Sequence, residues 1–349
     1  MKKSKILTIC LSTLCLFSCS TQYSKTPSGK ELSVEDGKTK MKAAMQISDE
    51  DVAKDTGKLK IGIDDGYFKL TGDASAKTIS DTSSASLNID ISKIKVLLTM
   101  EGLNSTNSDD YHSHLDLDLH GEMKATAKTS SSSNEVEAEK KEYDFDVYQN
   151  KTNIYFDFSG NDSLNLAKQI LPFVNLNNGK VYLPNNNFSI QKDFSESEKN
   201  DDTTTSTNSD FSFEDLVLDT DEGVYLDTGN GNYAFTYTMN GDTLNSKLNA
   251  KYENTDTGIK YTISDESTLK YSIQFSETSG ISSIGVDAKI TCSYEIASSY
   301  YTISNTSSAK GNISIEMGTK FVFDTSSSIN VDMPSDLSDY KSPFSYQAI

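Results

Sequence analysis

The sequence predicts a mainly β protein: a large curled antiparallel meander, either half-barrel or sandwich, with a short mid-chain helical insert. Three observations carry this. Apolar residues alternate with polar ones from about residue 59 to 333, the strand period of two. Turn-forming residues separate the runs, as in "NGD" at 240, "TDTG" at 255 and "SETSG" at 276. One segment alone, "NDSLNLAKQILPFV", places Leu164, Ala167, Leu171 and Val174 at helical spacing.

In chain order, Leu59, Ile61 and Ile63 alternate, Asp64-Asp65-Gly66 reads as a turn, and Phe68 and Leu70 follow. Leu87, Ile89 and Ile91 share one phase, whereas Ile94, Val96, Leu98 and Met100 share the other. One extra residue near Ser92, a β-bulge, accounts for the switch. Residues 111–128 form one long strand with Leu115, Leu117, Leu119 and Met123 on a single face; Tyr143-Phe145-Val147 and Ile154-Phe156-Phe158 come next. Asp162 or Ser163 is placed to cap the helix, and Pro172 disturbs its end. Residues 193–210 are almost wholly polar, and "FSFEDLVLD" reads as a further helical turn. The later strands are read at Tyr233–Met239, Leu244–Tyr252, Ile259–Ile263, Leu269–Phe275, Val286–Ile296, Ile313–Met317, Phe321–Phe323 and Ile329–Met333.

The first residues set the expected address. Lys2, Lys3 and Lys5 precede an apolar run from Ile6 to Phe17, the layout of a secretory signal. The run closes on Leu16-Phe17-Ser18-Cys19, which resembles the lipobox of bacterial lipoproteins. That resemblance implies cleavage after residue 18, a diacylglyceryl group on the Cys19 thiol, and residence on the extracytoplasmic face of a cell membrane. The expected organisation is a signal peptide at 1–18, a lipidated cysteine with flexible tether at 19–40, and a single β-rich domain at 41–345 with an acidic insert at about 160–222. Cys10 and Cys15 leave with the signal, so Cys292 is the one remaining thiol. Its alternation with Ile290 and Tyr294 makes it a core residue, not a nucleophile.

Charge narrows the partners. The formal net charge is −19, and loss of the three signal lysines takes it to about −22. No arginine occurs among the 32 basic residues. Nucleic acid is therefore not expected as a partner, since phosphate binding needs a basic patch. Attachment to the membrane then rests on the Cys19 lipid, since an acidic surface is repelled by anionic headgroups.

All three histidines lie in "YHSHLDLDLHG". His112, His114, Asp116, Asp118 and His120 share the face opposite the leucines, so they are expected to face water. His112, His114 and Asp116 form the candidate for a weak metal site, completed by a carboxylate from a neighbouring strand. His120, about 20 Å from His114 at ~3.3 Å per residue, belongs elsewhere. No Ser-His-Asp arrangement, EF-hand spacing or phosphate loop is present, so neither an enzyme nor a bound cofactor is expected.

The succession of lipidated cysteine, meander, mid-chain helix and second meander is similar in pattern, over about 40–345, to the half-barrels of lipoprotein-carrier (LolA-type) and LppX-type lipoproteins. The resemblance implies non-catalytic binding of an acyl chain or other hydrophobic small molecule. The lid helix of that fold is not visible in "GKTKMKAAMQISDEDVAKD", which is only weakly amphipathic. Two alternatives stand beside it: a cell-surface interaction or structural lipoprotein with a packed β core, and a weak metal-binding lipoprotein.

Overall fold

The computed structural model describes residues 23–343 apart from 48, 79–81, 106–107, 130–131, 173–174, 177, 186–217, 219, 221, 253–258, 298–305 and 327. Among the described residues thirteen strands form one antiparallel sheet that does not close on itself. They are β1 (Lys30–Glu31), β2 (Lys58–Thr78), β3 (Thr82–Glu101), β4 (His112–Lys128), β5 (Ser133–Gln149), β6 (Asn153–Ser159), β7 (Lys180–Pro184), β8 (Val224–Gly229), β9 (Asn232–Asn240), β10 (Ile259–Ile263), β11 (Thr268–Ser276), β12 (Gly280–Ala297) and β13 (Thr306–Asp324). The helices are α1 (Val34–Gln46), α2 (Asp49–Thr56), α3 (Gly160–Ile170) and α4 (Gly241–Tyr252).

The spatial order is β1-β8-β9-β11-β12-β13-β2-β3-β4-β5-β6-β7, with β10 pairing to β12 beyond the end of β11. The strand blocks on either side of the insert are therefore halves of one sheet, joined where β13 pairs with β2 from Asp324↔Lys60 to Thr306↔Thr78.

The extra residue expected near Ser92 is present: Ile91 pairs with Gly121 and Lys93 with His120, leaving Ser92 without a partner in the ladder. Asp64 is likewise extra between Ile63 and Asp65 against β13, so Asp64-Asp65-Gly66 is a bulge within the 21-residue β2 and not a turn. A third irregularity follows Gly121 in the β4–β5 ladder. The three lie side by side on neighbouring strands, and bulges bend a strand and add twist. Together they crease the sheet at one level.

Alternation puts one face of the sheet in a continuous apolar row. Tyr225, Phe235, Ile273, Ile284, Phe321, Ile63, Val96, Leu117, Phe145 and Phe158 follow one another across ten strands. Its first five members are buried, and they share a core with Met41 and Ala44 of α1. α2 covers the lower ends of β2 and β3, where Ala53 meets Leu59 and Met100. α3 covers β6, where Ala167 and Leu164 pack with Phe156 and Phe158.

Several expectations need correction. The tether does not extend to Lys40: Ser24 is buried, β1 pairs with β8, and α1 begins at Val34. The segment read as only weakly amphipathic does form a helix, α1, capped by Ser33, whose hydroxyl accepts from the Asp36 amide. Its buried stripe is only Gly37, Met41 and Ala44, too narrow for strong amphipathicity. Gly37 is required there, because a Cβ would lie 2.1 Å from the Tyr225 ring. Leu244–Tyr252 is helix α4, not a strand; Asn240 accepts from the Thr243 amide at its start. Ile329–Met333 is not a strand, although Ile329 and Val331 are buried. Asp162 and Ser163 do not cap α3. They accept the amides of Glu142 and Asp144, satisfying β5 where β6 ends. Cys292 faces the apolar side but is only half-buried, and burial raises its thiol above the ordinary value. The Cys19 segment and the polar run 193–210 lie outside the described residues.

Met41→Ala removes a fully buried side chain from the α1–sheet contact and is expected to lower stability by about 2–5 kcal/mol. Urea unfolding of the purified domain checks this; an α1 that did not pack on the sheet would leave the midpoint unchanged.

Candidate functional site

Strand β4 serves both faces of the sheet, and each face carries a candidate site. On the polar face, direct cross-strand register stacks like charges. Asp116 lies opposite Asp146, and Asp146 opposite Asp157; Asp118 lies opposite Asp144. Like charges directly opposite each other destabilise a sheet. The structure answers each with a cation or donor, mostly from a diagonal position. Lys95 pairs with Asp116, Lys93 with Asp118 at 2.5 Å, and Lys180 with Asp157 at 3.2 Å. His114 Nε2 lies 2.7 Å from Asp146, and His120 Nε2 pairs with Asp144. His112 Nδ1 lies 3.4 Å from Glu101.

This answers why every histidine shares one face. Each one sits beside a cross-strand carboxylate, and an imidazole donates a hydrogen bond in either protonation state. The His114 ring also stacks on Tyr148 at 4.2 Å. The Tyr148 phenol is pushed up to about 12, by burial first and then by Asp146, Asp157 and Asp116 around it.

The expected metal group is not assembled. His112, His114 and Asp116 turn to three different partners, and all are half-buried rather than fully solvated. The groups that do converge are Asp118, His120 and Asp144, whose ligand atoms lie within 4.8 Å of one another. An aspartate pair with one imidazole is a donor set that a divalent ion accepts. An ion there competes with Lys93 for Asp118. The contribution of β5 was not legible in the sequence, because it depends on which residue of a distant strand comes into register.

On the apolar face, cover runs out between α2 and α3. Val96 is 41% exposed, Leu119 38%, Met123 40% and Val136 59%. Register makes them neighbours: Ile94 pairs with Leu119, Val96 with Leu117, Ile89 with Met123, and Ala125 with Val136. The result is a continuous open apolar surface over β3, β4 and β5. A shallow cleft of about 400 Å³ lies in the upper part of the sheet, lined mostly by Asp73, Ser86, Asn88, Lys124, Thr126 and Asn312 of the polar side.

No family model matches the chain, and no curated protein matches it. Solved structures with a distant likeness include the following two. One, described as "Lipid-protein interactions in lipovitellin", is 11% identical with a TM-score of 0.21, over 80% of this chain and 26% of that one. The other, Pseudomonas aeruginosa OccK7 (OpdD), is 8% identical with a TM-score of 0.19, over 76% of this chain and 99% of that one. This chain thus spans about a quarter of the lipovitellin chain.

Two outcomes follow from the polar face. Burial raises the Asp118 carboxyl, but Lys93, together with the Asp144 hydrogen bond and Lys95, holds the group below its ordinary value. A lowered carboxyl binds fewer protons folded than unfolded, so its contribution is present at neutral pH and fades as pH falls through its folded value. Lys93→Gln should therefore cost a few tenths to about 1 kcal/mol at pH 7, the range of a screened pair. In urea titrations the gap to wild type should narrow below about pH 4. Zinc taken up by this face, read by calorimetry, should be lost in His120→Ala and kept in the His112→Ala/His114→Ala double variant.

Proposed function

We propose that the chain is a lipid-anchored envelope protein that carries a hydrophobic ligand, such as an acyl chain, along the open apolar face of β3–β5. One observation carries this reading: the single apolar row, buried from Tyr225 to Phe321, emerges into solvent at Val96. Contiguous exposed apolar surface marks a ligand or partner site. The cargo is held and not transformed, since the histidines are engaged in cross-strand pairs on the opposite face. α1 does not roof a cavity; it seals a dry core with Met41 and Ala44. The ligand therefore lies on the surface beside that core. The same dry core favours a second reading, an interaction lipoprotein whose open face takes a protein partner.

Anchoring follows from Leu16-Phe17-Ser18-Cys19. Cys19→Ala expressed in a bacterial host should move the protein from the membrane fraction to the soluble fraction; retention in the membrane would remove the anchor reading. Organic extraction and mass spectrometry of that soluble protein should recover an acyl lipid at near-equimolar amount. Leu119→Lys/Met123→Lys should reduce the recovery about tenfold. Both positions are exposed, so stability should move by no more than about 0.5 kcal/mol per site. A lipid-free wild type that captures its own copies or another protein would favour the interaction reading.

A further inference from the structure

The polar face of the sheet holds a buried carboxylate, Asp287, directly opposite Lys270 of β11 but in no ion pair among the described residues. Asp287 is 1% exposed. Its Oδ2 accepts the Tyr23 amide at 2.9 Å, the Ser24 amide at 2.5 Å and the Ser24 hydroxyl at 2.6 Å. A buried carboxylate is costly unless it is hydrogen-bonded, and residues 23–24 supply three donors to Oδ2 while Oδ1 stays buried without a hydrogen bond among the described residues. Ser24 is itself fully buried.

Two glycines make the room. Gly285 stands two residues from Asp287 on β12, and Gly318 lies directly opposite Asp287 on β13. A Cβ on Gly285 would lie 1.9 Å from the Tyr23 carbonyl oxygen, and one on Gly318 would lie 2.4 Å from the Tyr23 ring. The ring then sits 6.2 Å from that of Tyr67, and its hydroxyl donates to Asp65 at 2.9 Å. From this slot the chain passes round the β8 edge as β1 and delivers α1 to the opposite, apolar face. Residues 23–46 thus hold the sheet from both sides.

Tyr23 is four residues after Cys19. A fully extended chain covers at most ~3.6 Å per residue, so Cys19 lies within ~14 Å of the seated Tyr23. We propose that the Gly285–Gly318–Asp287 slot is an anchor-docking site: it takes up the chain immediately behind the lipidated cysteine and holds the face around β12, β13 and β2 against the lipid bilayer. The partner surface is the membrane itself, and the domain rides on it instead of swinging on a tether. This rests on the lipoprotein reading above.

Two measurements test it separately from that reading. The first needs no lipid. In soluble Cys19→Ala protein, trypsin should cut slowly after Lys25, because residues 23–24 are pinned. Tyr23→Gly/Ser24→Gly alters only the pinned segment and should raise the rate at least tenfold, and Asp287→Asn should raise it less. Equal rates in wild type and the double-glycine variant would overturn the docking.

The second uses full-length lipidated protein in phosphatidylethanolamine–phosphatidylglycerol vesicles with spin-labelled headgroups, in a Cys292→Ser background. A fluorophore on Gln274→Cys, exposed on the docked face, should be quenched several-fold more than one on Glu137→Cys, exposed on distant β5. Tyr23→Gly/Ser24→Gly should bring the two to equal quenching while the protein stays on the vesicles. Membrane-bound protein with equal quenching in wild type would overturn the proposal and leave the anchor intact. Protein that never joins the vesicles, together with slow cleavage at Lys25, would sink the anchor and with it the membrane role of the slot.

Discussion

The pairing of β2 with β13 is the contact on which the rest of the sheet depends. It joins the first long strand of the chain to the last, from Lys60↔Asp324 to Thr78↔Thr306. Without it each block of strands would present a long unpaired edge, a template for pairing with other chains. The ladder closes a loop of more than 200 residues. Non-local pairing of this kind has to meet its entropy of closure before the contact rewards it, which slows folding. With this ladder in place, the apolar faces of the two blocks become one surface.

That surface is larger than the described helices cover. Among the described residues four helices meet it: α1 over β8, β11 and β12, α2 at the foot of β2 and β3, α3 beside β6, and α4 against β9 and β10, where Leu244 joins the core. Each is short, and the longest, α1, buries a stripe of just three residues. The middle of the apolar row is left open at Val96 and its neighbours. The other edge of the same region is blunted instead of covered. Beyond Asp144, β5 has no outer neighbour in the sheet among the described residues, and there it reads Ser-Asn-Glu-Val-Glu-Ala-Glu-Lys-Lys, charges that discourage edge-to-edge pairing.

The opposite face has the reverse problem, an excess of like charge. Aspartates meet across β4, β5 and β6, and lysines from β3 and β7 with two histidines from β4 answer them. The histidines belong to the sheet's own electrostatics before any added role. Asp287 is handled differently, by folding the N-terminal segment back onto the sheet. The same turn of chain brings α1 to its place, so the start of the described chain both hydrogen-bonds one oxygen of a buried carboxylate and packs α1 onto the core.

Much of this was legible in order along the chain. Strand periodicity, the phase switch at Ser92 and the side of each β4 residue follow from a period of two and need no partner. The lipobox resemblance, the acidic charge and the absence of arginine are likewise properties of the sequence alone. What the tertiary structure decided is everything that depends on who lies opposite whom. Asp64-Asp65-Gly66 reads as a turn until β13 continues past it. Gly37, Met41 and Ala44 look too sparse for a packed helix until Tyr225 supplies the surface that needs a glycine against it. His120 gains its carboxylate from Asp144, 24 residues away, and Tyr23 gains its seat from Gly285 and Gly318, more than 260 residues away. Local periodicity is set by the backbone's own geometry, whereas register, cover and burial of charge are set by distant segments whose alignment no local pattern encodes.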